Sequence, residues 1–171
     1  SVSRPVFVFA ACLIHAVVLG STTHLFIADA PNYASDIAQH LETFSCRFYE
    51  AGHLLWRPMG LAATPITRLM QPEGSLVASA MESLEALAIL FGFLCVGLTA
   101  SWLHALAPTL GGAAFGVLFM IFGKAFMNFA QVGTSYIPAL AFLVLALFLL
   151  ADASFRKEHA RLFSGLAGLA F

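Results

Sequence analysis

Long runs of apolar residues, separated by short polar stretches, dominate this chain. The first run covers residues 6–28 and contains no formal charge. A long helix is predicted from about residue 75 to residue 106, and later apolar runs cover residues 113–130 and 137–151. Because a helix needs roughly 20 apolar residues to cross a membrane, we expect these runs to form four membrane spans.

One further stretch has the length of a span but not its chemistry. Residues 52–70 include Arg57, Pro58, Pro65 and Arg68. A charged side chain at the bilayer centre is costly, and a proline inside a helix breaks or kinks it. We therefore expect this segment to be interfacial or re-entrant, lying against one face of the membrane.

The chain ends in another apolar run, at residues 162–171. A helix of this length cannot cross a hydrocarbon core of roughly 30 Å, so we expect a terminal half-span. The pattern predicts an all-α fold, a polytopic transmembrane helical bundle in a single membrane domain over residues 1–171. We expect this domain to be the N-terminal part of a longer protein.

The positions of the basic residues predict an orientation. Arg4 precedes the first span, and a basic cluster at residues 156–161 follows the last one. With four spans both lie on the same side, which the positive-inside rule assigns to the cytoplasm. Residues 29–75 then form an extracytoplasmic loop with interfacial helices. We expect an integral, multi-pass protein of a bacterial inner membrane.

Composition supports a membrane protein and excludes several other classes. Apolar residues make up 60% of the chain and charged residues 10%, against about 45–50% and about 25% in average soluble domains. The net charge is −1, and no basic run is typical of a nucleic-acid-binding surface. The three cysteines lack metal-binding or disulfide spacing. We expect membrane lipid as a partner, no nucleic acid and no metal.

Acidic and basic residues gather in the loop after the first span. Asp29, Asp36, Glu50, His53 and Arg57 all lie within about thirty residues. A carboxylate at a membrane face can accept a proton from a hydroxyl group, and an arginine can bind a phosphate through two hydrogen bonds. The alternative is that an exposed loop needs polar residues to remain solvated.

Two motifs in this loop resemble a known class of enzymes. The first is Asp29-x-x-Asn32-Tyr33-x-x-Asp36, and the second runs from Tyr49-Glu50 through His53 to Trp56-Arg57-Pro58. Together they resemble the N-terminal part of integral-membrane glycosyltransferases of the GT-C type, which include protein mannosyltransferases and aminoarabinose transferases. The stretch Gly133-Thr134-Ser135-Tyr136-Ile137-Pro138 is also similar to that group. Members of the class are usually much longer than this chain.

The resemblance implies a function and a set of site residues. It implies transfer of a sugar from a polyprenyl-phosphate donor at the extracytoplasmic face, with the donor as substrate and no cofactor. Asp29 matches the catalytic carboxylate and Asp36 is the second choice for that role. His53 and Arg57 match residues near the donor phosphate, with Glu50, Tyr49 and Trp56 as supporting residues.

Two other functions remain open at this stage. A non-catalytic accessory subunit could pack its Phe-rich helices in a larger membrane complex, such as an energy-transducing or pigment-binding assembly, or in a homo-oligomer. A small transporter ranks last, because Lys124 is the one clearly deep charge. His15 and His104 could ligate a haem iron or a chlorophyll magnesium, although a single histidine on an apolar helix more often bonds to a neighbour.

Overall fold

The protein is all-helical throughout the residues that its computed structural model describes, which are residues 2–22, 29–44 and 55–155. These ranges contain no strand. The helices are α1 (Arg4–Ser21), α2 (Ala30–Thr43), α3 (Trp56–Met70), α4 (Leu76–Leu106), α5 (Leu110–Ile121), α6 (Lys124–Phe129) and α7 (Tyr136–Phe155).

Two of these helices, α1 and α4, are long and apolar enough to cross a membrane. Helix α1 starts with Pro5 in its first turn, where no intrahelical N–H bond is lost. It ends at Ser21, earlier than the predicted run to residue 28, and the Ser21 hydroxyl donates back to the Val17 carbonyl over 2.7 Å. Residues 23–28 lie outside the described residues. Helix α4 matches its predicted range.

The single helix predicted over residues 113–130 is wrong, because the structure divides it into α5 and α6. Helix α5 begins earlier, since the Thr109 hydroxyl caps it by accepting a hydrogen bond from the Gly112 N–H. It ends at Ile121, and a tight turn follows in which the Gly123 N–H bonds to the Met120 carbonyl over 3.1 Å. Neither helix alone has the length of a span, so four spans remain a prediction.

The chain divides into two compact units. The first contains Ser1–Thr22, Phe91–Met127 and Ala139–Phe171. Within it, α1 runs antiparallel to the end of α4, since the Phe7 ring lies 5.4 Å from the His104 ring and the His15 ring lies 5.0 Å from the Phe93 ring. Between these two pairs, Cys12 packs over Gly97, where the missing side chain permits close helix approach.

The second unit contains Thr23–Leu90 and Asn128–Pro138, and it includes α2 and α3. These two helices approach closely at Gly60. A Cβ atom there would lie 2.6 Å from a terminal methyl group of both Ile37 and Leu84, and both side chains are fully buried. Helix α3 is also bonded to α4, because the hydroxyl oxygens of Thr67 and Ser83 lie 2.6 Å apart.

Helix α3 occupies most of the segment predicted to be interfacial or re-entrant. It continues through Pro65 without ending there. One face is buried at its N-terminal half, while Ile66, Leu69 and Met70 are 62%, 84% and 78% exposed. The helix therefore has a packed face on one side and exposed apolar side chains on the other, and its interfacial or re-entrant position stays a prediction. Residues 52–54 lie outside the described residues.

Candidate functional site

Helix α2 places Asp29, Tyr33 and Asp36 along one side. Asp29 occupies the N-cap position of the helix, and the spacing of four and then three residues brings the three side chains to the same face. Tyr33 is buried in the unit, whereas both aspartates are partly exposed. The two carboxylates are about 10 Å apart along the helix axis, from the rise of 1.5 Å per residue.

Arg57, in the first turn of α3, joins this face to the next helix. Its Nη2 atom lies 2.8 Å from Oδ2 of Asp36, and its guanidinium carbon lies 4.9 Å from the centre of the Tyr33 ring. Arg57 is only 5% exposed. A buried cation is tolerated when an ion pair, hydrogen bonds and an aromatic face replace its lost hydration. Asp36 and Tyr33 thus hold Arg57 between α2 and α3.

Trp56, the residue before Arg57, fixes the start of α3 from another direction. Its indole nitrogen Nε1 donates to the Gly133 carbonyl over 3.1 Å, across 77 residues of sequence. Gly133 has φ +60 and lies against α4, where an added Cβ would be 3.1 Å from the Leu84 Cβ. The turn before α7 therefore requires glycine at this position, and it anchors the indole beside the Arg57–Asp36 pair.

Sequence reasoning missed this anchor. Trp56 was expected to support the site, and the stretch from Gly133 was noted for its resemblance, but nothing in the sequence linked the two. One general rule pointed to such a bond: a buried tryptophan N–H needs an acceptor, and a turn at glycine leaves backbone carbonyls available. The sequence does not indicate which backbone carbonyl accepts this bond.

The two aspartates of α2 differ in their surroundings. Asp36 is engaged by Arg57. The Asp29 carboxylate forms no hydrogen bond or ion pair with any residue in the described part of the chain, and it is partly exposed. Its position at the start of α2 also places it near the positive end of the helix dipole. Among the described residues, Asp36 therefore has a charged partner and Asp29 has none.

The structure brings Asp36, Arg57 and Trp56 together and places Asp29 on the same side of α2 as Asp36. The other predicted site residues, His53, Glu50 and Tyr49, lie outside the described residues. Within the described ranges, no group of three histidine, cysteine or acidic side chains could hold a metal ion. The donor-phosphate roles of His53 and Arg57 and the absence of a metal stay predictions.

The two histidines considered as cofactor ligands have different environments. The His104 Nε2 atom donates to the Val2 carbonyl over 3.0 Å, so this histidine bonds to a neighbour. His15 is 1% exposed and packs against Phe93 and Phe126. Its ring nitrogens have no hydrogen-bond partner among the described residues. The ring contacts indicate that His15 acts as part of an aromatic core.

Lys124, predicted to be deep in a span, is the first residue of α6, and its side chain is not buried by the protein. Such a lysine can extend its ammonium group along the surface without a buried counter-ion. The depth of Lys124 in a membrane and the transporter alternative both stay predictions.

Comparisons with known proteins identify no relative. No family model matches the chain, and no curated protein sequence or solved structure matches it either.

Proposed function

We propose that this chain carries the extracytoplasmic site of a membrane glycosyltransferase that uses a polyprenyl-phosphate sugar as donor. The observation that carries the proposal is the difference between two carboxylates on one face of α2. Asp36 is held by a buried arginine, and Asp29 is open to another molecule. Two acidic groups with different environments are the arrangement that separates a reacting carboxylate from a structural one.

In this proposal Asp29 acts as the general base. Its carboxylate takes the proton of the acceptor hydroxyl while that oxygen forms a bond to the anomeric carbon of the sugar. The bond between the anomeric carbon and the phosphate oxygen breaks, and the polyprenyl phosphate leaves with the electron pair. General-base catalysis of this kind contributes roughly 10²–10⁴ in rate.

Arg57 and His53 supply positive charge to the donor phosphate in the proposed site. Arg57 already has one nitrogen on Asp36 and is 5% exposed, so a direct phosphate contact requires local movement of the start of α3. Without that movement, the role of Arg57 in this proposal is to hold Asp36 and the start of α3 in place.

The proposed membrane arrangement has four spans with residues 29–75 outside. It rests on the two helices long and apolar enough to cross a membrane, on the two shorter apolar segments that contain α5 and α7, and on the positive-inside rule. The exposed apolar side of α3 then lies at the outer membrane surface, next to the lipid tail of the donor. A bacterial inner membrane satisfies these requirements.

The test is a transfer assay with the full-length protein that contains this chain, reconstituted in vesicles. The probe is a polyprenyl-phosphate hexose labelled in its sugar, with loss of label from the donor as the readout. We expect Asp29→Asn to lower the initial rate at least about 100-fold. Glu42→Gln, which removes an exposed carboxylate from the same helix, is the matched control and keeps the parent rate.

Two results would contradict the proposal. The first is an equal rate for Asp29→Asn and the parent protein. The second is a parent protein that never consumes the donor and that purifies with firmly bound partner chains, because this outcome assigns the chain to the accessory-subunit function instead.

A further inference from the structure

A groove in the first compact unit lies where the start of α1 meets the end of α4. It has a volume of about 160 Å³ and is lined mainly by apolar groups, from Val2, Ala107, Pro108 and Leu110. The His104 side chain also lines it and is fixed by its hydrogen bond to the Val2 carbonyl. None of the residues that line the groove belongs to the site on α2 and α3.

An exposed cation lies beside this groove. The Arg4 Nε atom donates to the Ser101 hydroxyl over 2.7 Å, and Ser101 is three residues before His104 on α4. This bond holds the side chain against α4 through Nε. The terminal nitrogens Nη1 and Nη2 make no hydrogen bond within the described residues, and Arg4 is exposed, so both nitrogens can reach an anion.

The location of the groove suggests which anion this is. Arg4 is the first residue of α1, and Ser101 is near the last residue of α4. Both helices are long and apolar enough to span a membrane, so their adjoining ends lie at a membrane surface. A phospholipid there carries a phosphate directly above apolar carbon chains, which matches a cation beside an apolar groove.

We propose that this groove binds one anionic phospholipid, with its phosphate on Arg4 and its glycerol and first acyl carbons against the apolar lining. The charge complementarity selects an anionic lipid over a zwitterionic one. Each arginine near a membrane surface favours anionic lipid by about fivefold. The proposal does not depend on the glycosyltransferase function.

The experiment is native mass spectrometry of the full-length protein released from detergent, with phosphatidylglycerol and phosphatidylcholine as probes. We expect the first phosphatidylglycerol to bind about fivefold more tightly than phosphatidylcholine. Arg4→Gln removes this preference, and Arg4→Lys keeps it because the charge remains. Arg68→Gln is the matched control, since it removes an exposed arginine from α3 and leaves the preference unchanged.

Two further arms test the groove itself. Ala107→Phe fills the groove without changing any charge, and we expect it to weaken binding of phosphatidylglycerol at least about fivefold. We also expect that excess inorganic phosphate does not displace the lipid, because the apolar lining of the groove contributes to lipid binding. The proposal is overturned by a parent protein without lipid preference, by an equal loss in Arg4→Gln and Arg68→Gln, by unchanged binding in Ala107→Phe, or by displacement with inorganic phosphate.

Discussion

Arg57 needs Asp36 because a buried guanidinium is costly without a counter-charge. The pair is asymmetric, since the Arg57 side chain is 6% exposed and the Asp36 side chain is 26% exposed. Removing the aspartate therefore takes this ion pair away from the more deeply buried of the two charges. Asp29, seven residues earlier, forms no ion pair with any of the described residues. At the scale of single residues, Asp36 is thus the carboxylate with an ion-pair partner, and Asp29 is the one for which we propose a role in the reaction.

This asymmetry predicts a stability difference between the two aspartates. We expect Asp36→Asn to lower the free energy of unfolding by about 2 kcal/mol, less than the roughly 3–5 kcal/mol seen when fully buried pairs are broken. Asp29→Asn should change it by no more than about 0.5 kcal/mol. Thermal unfolding in detergent measures both.

The double variant Asp36→Asn with Arg57→Met is the control and should recover most of the loss. Equal stability of the two single variants would contradict the separation of roles.

A second residue-scale prediction concerns Gly133. Its left-handed conformation costs a non-glycine residue about 1–2 kcal/mol, and a Cβ would also press on Leu84 and on the Glu85 backbone nitrogen at 3.2 Å. We expect Gly133→Ala to destabilise the protein by at least that amount. Gly111→Ala is the matched control, because nothing lies within 4 Å of its Cβ position, and alanine is the better helix former. Gly133→Ala with parent stability in a thermal unfolding experiment would overturn this explanation.

At the scale of helices, the Thr67 hydroxyl connects α3 to α4 by hydrogen bonding. The Thr67 hydroxyl lies 2.9 Å from the Ser79 carbonyl oxygen as well as close to the Ser83 hydroxyl. Ser83 itself also donates to the Ser79 carbonyl over 2.7 Å. These contacts connect α3, which has an exposed apolar side, to α4, which is long and apolar enough to cross a membrane.

We therefore expect Thr67→Val, which keeps the shape but removes the hydroxyl, to cost about 1 kcal/mol. The loss is limited because Ser83 keeps its bond to Ser79. Thr43→Val is the control: Thr43 also bonds to a backbone carbonyl, that of Gln39, but it is exposed and contacts no other helix through this bond. Urea or thermal unfolding of the two variants side by side gives the comparison. An equal effect of both substitutions would show that the α3–α4 bonds add nothing.

The helices differ in how far sequence patterns could predict them. Helix α4 was predictable because Pro72 and Gly74 precede a long, mainly apolar stretch, in which the two glutamates, Glu82 and Glu85, lie near the start. The division between α5 and α6 was not, since residues 113–130 are apolar on both sides of the break. Hydrophobicity favours a membrane environment for the whole run, while the Thr109 cap and the turn at Gly123 decide where each helix begins and ends.

Sequence patterns predict the contacts within the site even less well than they predict where the helices end. Helix periodicity places Asp29 and Asp36 on one side of α2 once the bounds of the helix are known. The Arg57–Asp36 pair and the Trp56–Gly133 bond depend on how distant parts of the chain pack, and a single sequence does not contain that distance information. Charge and hydrogen-bonding capacity indicated which residues needed partners, but they did not identify the partners.

At the scale of the whole molecule, the proposed orientation has a direct consequence for accessibility. Glu42, exposed on α2, lies outside in the proposed four-span arrangement, whereas Gly111, at the start of α5, lies inside. We expect Glu42→Cys to react with a membrane-impermeant maleimide in intact cells. Gly111→Cys should react only after permeabilisation. The parent protein, with its own three cysteines, gives the background. The reverse labelling pattern would place the α2–α3 site on the cytoplasmic side.

The central claim is that Asp29 takes part in chemistry while Asp36 holds the site together. The most direct test is the rate of sugar transfer from a polyprenyl-phosphate hexose by folded Asp29→Asn at saturating donor, with the thermal stability recorded on the same sample. We expect Asp29→Asn to lose at least about 100-fold in rate and to keep the thermal stability of the parent protein. An Asp29→Asn protein that is stable and transfers sugar at the parent rate would contradict it.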